Sequence, residues 1–151
     1  MKLIALSGLQ AGLKAEVALG LARTLIDSGA SVTLLDNNDH KMAVEGIESV
    51  RFGGGCVCCS MAAQLFPAVW KLKTDYALLV TSSAASPETL AYVMGQVRGE
   101  RVSVATFALI DDFTRTEIPY LADQLTWYAD CAFSETTPIQ DILDAALNIF
   151  Q

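Results

Sequence analysis

The strongest constraint on the fold is the way short apolar runs alternate with helical stripes, beginning in the first 35 residues. Lys2 to Ser7 is a short apolar run closed by Gly8, the pattern of a buried strand. From Lys14 to Ser28, the residues Val17, Ala18, Leu21, Ala22, Leu25 and Ile26 recur at three- and four-residue spacing and make one helical stripe. Gly29 supplies the left-handed stop after that helix. Ser31 to Leu35 reads as a second strand, running into the polar patch Asp36-Asn37-Asn38-Asp39-His40. Strand, glycine-opened turn, helix and strand make a βαβ unit, whose crossover is almost always right-handed.

The alternation continues to the end of the chain. Ser49 to Phe52 is a short strand, Met61 to Lys73 a helix kinked at Pro67, and Tyr76 to Thr81 an apolar strand. Ser86 is placed to cap the next helix, with Pro87 at its first position. Val102 to Ile110 is another buried strand, ending at Asp111-Asp112. Thr116 to Tyr128 reads as a helix whose first turn is limited by Pro119, and Ala129 to Ser134 as the last strand. Thr137-Pro138-Ile139-Gln140 has the form of a capping box with proline at the first helical position. Behind it Ile142, Leu143, Ala146, Leu147 and Phe150 face inward.

This pattern predicts one domain over residues 1–151, a three-layer α/β fold with a parallel sheet flanked by helices. Ligands of such sheets bind at the carboxyl ends of the strands. Those ends are the turn after Ser7, the loop Asp36 to His40, the loop after Thr81, and Asp111-Asp112, with the loop after Phe52 able to reach the same rim.

That last loop reads Gly53-Gly54-Gly55-Cys56-Val57-Cys58-Cys59-Ser60 and holds three of the chain's four cysteines. Cys56 and Cys58 flank one residue, so their sulfurs can point the same way, and Cys59 adds a third thiol. Thiolates select zinc, Cu(I) and similar thiophilic ions. A fourth ligand would come from a partner chain, water, a carboxylate or His40. Three protein ligands with one open position suit transfer or catalysis better than a closed structural site. Two other readings stand beside this one: small apolar side chains packing a loop, and reversible oxidation of an exposed thiolate. Cys58–Cys59 and Cys56–Cys58 are poor disulfide candidates because such bridges strain the backbone. Cys131 lies in an apolar run and reads as core, His40 as a solvated loop residue. Asp36, Asp39, Asp111 and Asp112 read as turn caps.

Composition narrows the function classes. A net charge of −7 without a Lys/Arg cluster argues against nucleic acid and anionic membrane as partners. No apolar run reaches the length of a membrane span, and the run before Gly8 is too short for a signal peptide, so a cytoplasmic protein is expected. In that compartment clustered cysteines point to metal or redox chemistry rather than a disulfide framework. The apolar share of 52% against 18% charged residues exceeds what a core needs and leaves surface for a partner or homo-oligomer.

Between the first strand and first helix, Gly8-Leu9-Gln10-Ala11-Gly12-Leu13-Lys14-Ala15 occupies the place of a phosphate loop. A working loop is G-x-x-x-x-G-K-[ST], in which the second glycine lets amides wrap phosphates, the lysine neutralises charge and the hydroxyl holds Mg²⁺. Gly8 and Lys14 are in register. Leu13 replaces the glycine and Ala15 the hydroxyl, so effective nucleotide hydrolysis is not expected. Weak anion binding at the helix N-terminus through Lys14 and free amides is one reading of what remains; an ordinary turn with a surface lysine is the other.

The order and spacing of these motifs resemble the CobW-type P-loop GTPases, relatives of the nickel-insertion GTPases. Gly55-Cys56-Val57-Cys58-Cys59 matches that family's G-C-x-C-C metal motif. Val80-Thr81-Ser82-Ser83-Ala84-Ala85-Ser86-Pro87 is similar to its E-T-S-G-x-A-x-P segment at Thr81, Ser82, Ala85 and Pro87, with Val80 in place of the acidic residue. Ala129-Asp130 is similar to its A-D, while Ser134-Glu135-Thr136-Thr137 stands where N-K-x-D would read guanine. The resemblance covers the GTPase domain without the C-terminal domain such proteins often add. It implies a P-loop NTPase-like fold and a pseudo-GTPase: a non-enzymatic, zinc-binding or similar accessory protein with Cys56, Cys58 and Cys59 as ligands and no GTP cofactor. Its partner would be a client metalloenzyme, or a GTPase to which it is a non-catalytic subunit. A residual nucleotide-binding enzyme is the third alternative.

Overall fold

Burial on both faces turns the apolar runs into central strands. A computed structural model describes residues 1–151. Strand β1 (Lys2–Ser7) leads into helix α1 (Ala11–Asp27), then β2 (Val32–Asp36) and β3 (Glu48–Arg51). Helix α2 (Ala62–Lys71), β4 (Tyr76–Val80), α3 (Pro87–Val97) and β5 (Ser103–Leu109) follow. The chain closes with α4 (Asp112–Glu117), α5 (Pro119–Tyr128), β6 (Cys131–Phe133) and α6 (Ile139–Ile149). The six strands form one sheet in the order β3-β2-β4-β1-β5-β6, and every pairing is parallel. The expected α/β class is therefore the observed one.

Alternate residues of each strand serve different layers. Ile4, Leu6, Leu34, Leu78 and Phe107 pack with Val17, Leu21 and Leu25 of α1 and Ile142, Leu143 and Ala146 of α6. Leu3, Ala5, Leu35, Leu79 and Val104 pack with Leu65 and Val69 of α2 and Leu90, Val93 and Val97 of α3. Each fully buried leucine or valine contributes about 1.5–3 kcal/mol. With β1 between β4 and β5, the Gly8 turn opens beside the loop that follows Val80. That adjacency puts the first turn, the polar loop after β2 and the loop after β4 on one rim.

Glycine is obligatory at the first of these turns. Gly8 has φ +146°, and a Cβ there would collide with the carbonyl oxygen of Leu109. Gly29, at φ +92°, ends α1 as expected.

Several local expectations need correction. Helix α1 begins at Ala11, three residues before Lys14, and the Lys14 amide already donates to the Gln10 carbonyl at 3.2 Å. The helix expected over Thr116 to Tyr128 is two helices. Asp111 caps α4 by accepting from the Thr114 amide, and Pro119 forces Ile118 out of helical geometry, to φ −133° and ψ 58°. The capping box at Thr137 does not form. Helix α6 begins at Ile139, and the Thr137 hydroxyl accepts instead from the Ser134 amide at 3.1 Å. Cys131 is half-buried against the core edge rather than within it. Ser86 does cap α3, its hydroxyl accepting from the Thr89 amide, with Pro87 next. No helix is long and apolar enough to cross a membrane.

Candidate metal centre

The cysteine loop is built on the end of β2. Asn37, 2% exposed, uses its side-chain amide three ways. Its Nδ2 donates to the carbonyls of Phe52 at 2.9 Å and Gly55 at 2.7 Å, and its Oδ1 accepts from the Val57 amide at 3.0 Å. Asp36 fixes the strand end in turn: it accepts from the amides of Asn38 and Met42 and pairs with the Arg51 guanidinium at 2.9 Å. The chain then needs glycine to turn back. Gly54 has φ +86°, and a Cβ on Gly55 would strike the Ser60 hydroxyl. A tight turn follows, with the amides of Cys59 and Met61 both donating to the Cys56 carbonyl at 3.1 and 3.0 Å.

This scaffold brings the three sulfurs together. The Sγ atoms of Cys56 and Cys58 are 2.7 Å apart and those of Cys58 and Cys59 3.5 Å apart, all three within 4.8 Å of one another. All are free thiols. Tetrahedral zinc, with bonds of about 2.3 Å, spaces its sulfurs roughly 3.8 Å apart, so the Cys56–Cys58 and Cys58–Cys59 pairs are closer together than a bound ion would hold them. Cys56 is 9% exposed and Cys58 3%, while Cys59 is open to solvent. A thiophilic ion would thus be held on two buried ligands and approached from the Cys59 side.

Burial, and then hydrogen bonding of the Cys58 S–H to the Cys56 and Cys59 sulfurs, push the Cys58 thiol well above its ordinary range, with the Ser86 backbone amide pulling the other way. The Cys58 thiol of the metal-free loop is therefore protonated at neutral pH, and an incoming cation has to displace its proton.

His40, the one histidine, is exposed and lines a separate cavity with Ala11, Gly12 and Met42. It does not join the cysteines, which form the metal-competent group alone. A cavity of about 260 Å³ beside Cys56 is lined by Asn37, Asp39, Arg51, Gly55 and Ser82. Asp39 accepts there from the Ser83 amide and hydroxyl and the Ser82 hydroxyl. Partial burial raises its pKa, but these bonds and the Lys14 charge prevail and hold the carboxyl below its usual range. A larger cavity, about 470 Å³, lies at the opposite end of the sheet around Met1, Trp70, Lys73 and Arg101.

Gly8 packs against the Leu109 carbonyl, and Lys14 lies in the first turns of α1. From Ala11 onward, the segment that would wrap a phosphate is instead the first turn of α1, and the Asn38 side chain donates to the Ala11 carbonyl at 2.9 Å. Lys14 is neither a surface lysine nor open to the turn. It is 0% exposed, and its Nζ donates to the Thr81 carbonyl at 2.7 Å. Burial pulls its pKa down to about 8, against the opposing influence of Asp39 and Cys56.

Sequence reasoning found the cysteines but not the residues that hold them. Asn37, Asp36 and Arg51 carry no motif; the signal available was a polar run at a strand's carboxyl end, where solvent exposure is the commoner explanation.

No protein-family model matches the chain, and no curated protein matches it. Among solved structures, the chain is similar to a de novo designed protein of P-loop NTPase fold determined by solution NMR. The identity is 12%, the coverage 100% of this chain and 91% of that one, and the TM-score 0.43.

Proposed function

We propose that the chain is a metal-binding accessory or carrier protein for zinc or a similar thiophilic ion, a CobW-like domain without a GTPase cycle. The observation that carries this is the convergence of the Cys56, Cys58 and Cys59 sulfurs within 4.8 Å on a loop clamped by a buried asparagine. A loop that used cysteines only as small apolar fillers would have no need to turn three sulfurs toward one point. One ligand is solvent-facing, and no fourth protein ligand joins the group, so the coordination sphere is left for a client or water to complete. Without nucleotide turnover, release follows from the client's greater affinity for the ion. The absence of a phosphate cradle at Gly8 to Lys14 supports the non-enzymatic reading.

The test is metal content and thiol count on protein purified without chelator, beside Cys58→Ser. About one ion per chain or per pair of chains, lost in the variant together with thiol protection, is the expected result. Three freely reactive thiols and no zinc retained after incubation would refute it.

A second reading, a non-catalytic partner subunit, is favoured by one observation: Trp70, Tyr92, Tyr120 and Trp127 are 65–80% exposed. A solution mass and a pull-down with a candidate client distinguish a free carrier from an obligate subunit.

A further inference from the structure

We propose that Lys14 is the built-in counter-charge of the cysteine centre, a positioning residue whose ammonium balances a trithiolate bound to a divalent ion. This rests on the metal-binding reading above and adds to it a role for a residue that the missing phosphate cradle leaves without one.

Lys14 is a long cationic side chain with no exposed surface. An ammonium has three N–H donors and is rarely buried without an anion beside it. Here one acceptor is provided, the Thr81 carbonyl, and none of the chain's ion pairs includes Lys14. Asp39, the nearest acidic influence, is exposed and already committed to Ser82 and Ser83. The metal-free protein therefore keeps a costly, under-compensated cation in its interior.

The cysteine loop lies against the same scaffold. The Asn37 backbone amide donates to the Val80 carbonyl at 2.9 Å, one residue before the Lys14 acceptor. The side chain of that same Asn37 grips Gly55 and Val57, the two neighbours of Cys56. Asp39 and the Cys56 sulfur both lie near enough to favour the charged lysine.

The charges then balance. Three thiolates carry −3 and a divalent ion +2, which leaves −1 on a centre with two of its three sulfurs buried; one ammonium makes the assembly neutral. On loading, the thiol protons leave to solvent while Lys14 keeps its own. A cation that costs the metal-free fold thus becomes favourable in the loaded one, which biases the loop toward holding its ion.

The experiment measures zinc affinity of the full chain by competition with a chromophoric chelator at neutral pH, for the wild type, Lys14→Gln, Lys14→Met and Lys14→Arg. Gln can still donate to the Thr81 carbonyl but carries no charge, whereas Arg restores charge. Removing one unit charge beside a partly buried anionic complex should weaken zinc at least about tenfold in the Gln and Met variants, with Arg recovering part of the loss. Melting of each metal-free variant identifies those that fold, and either neutral variant decides the question alone. Wild-type binding with neutral variants within about twofold of it would overturn this inference and leave the metal site standing. Failure of the wild type itself to bind zinc would remove the metal reading and this inference with it.

Discussion

A single Cβ at position 8 would meet the Leu109 carbonyl in a backbone conformation that side chains rarely adopt. Gly8→Ala is accordingly expected to cost about 2–4 kcal/mol, read as a lower urea midpoint with an unchanged slope. Lys14 makes the opposite case. Its pKa is about 8 in the fold against 10.5 for the free group, so between those pH values the unfolded chain binds more protons and stability rises with pH. Below about pH 8 the full cost, roughly 3 kcal/mol, is present. Metal-free Lys14→Met should therefore be more stable than the wild type at neutral pH, by about 1–3 kcal/mol, with the gap closing as pH approaches 10.5. A gap that is absent, or constant across that range, would show that Lys14 carries no such cost. Gly8 was legible in the sequence because a glycine after an apolar run has a specific backbone meaning. The burial of Lys14 was not, because α1 starts three residues earlier than its apolar stripe and turns Lys14 inward.

At the scale of elements, period and punctuation carried most of the fold. The strands with continuous apolar runs, β1, β2, β4 and β5, were readable because both faces of a central parallel strand are buried. Errors fell where proline or a side-chain hydrogen bond decided the geometry: Pro119 splits one expected helix into α4 and α5, and Thr137 bonds backward to Ser134 instead of capping α6. The candidate site shows the same division. Cysteine spacing revealed the ligands, but the clamp that gathers them depends on a tertiary contact from β2. Asn37→Ala removes three hydrogen bonds and leaves the Gly55 carbonyl and Val57 amide without partners. The expected cost is about 2–4 kcal/mol in stability, with faster alkylation of Cys56 and Cys58 and weaker zinc binding. Unchanged alkylation rates would mean that the loop holds its sulfurs together unaided.

Across the whole molecule, a rigid parallel sheet presents its chemistry at one rim, and the exposed aromatics Tyr92, Tyr120 and Trp127 sit on helices of a single layer with Trp70. If the folded chain alone binds the ion, zinc at about 100 times its dissociation constant should stabilise it by about 2.7 kcal/mol, seen as a higher melting temperature in wild type and not in Cys58→Ser. Loading should also release protons and weaken as pH falls, since Cys58 is held protonated in the metal-free loop. The most direct test of the central claim is X-ray absorption at the metal edge of zinc-loaded protein. The expected spectrum shows a first shell of three sulfurs at about 2.3 Å with one lighter N or O ligand, or a fourth sulfur where two chains share the ion. A shell of nitrogen and oxygen alone, with the three thiols still free to react, would contradict it.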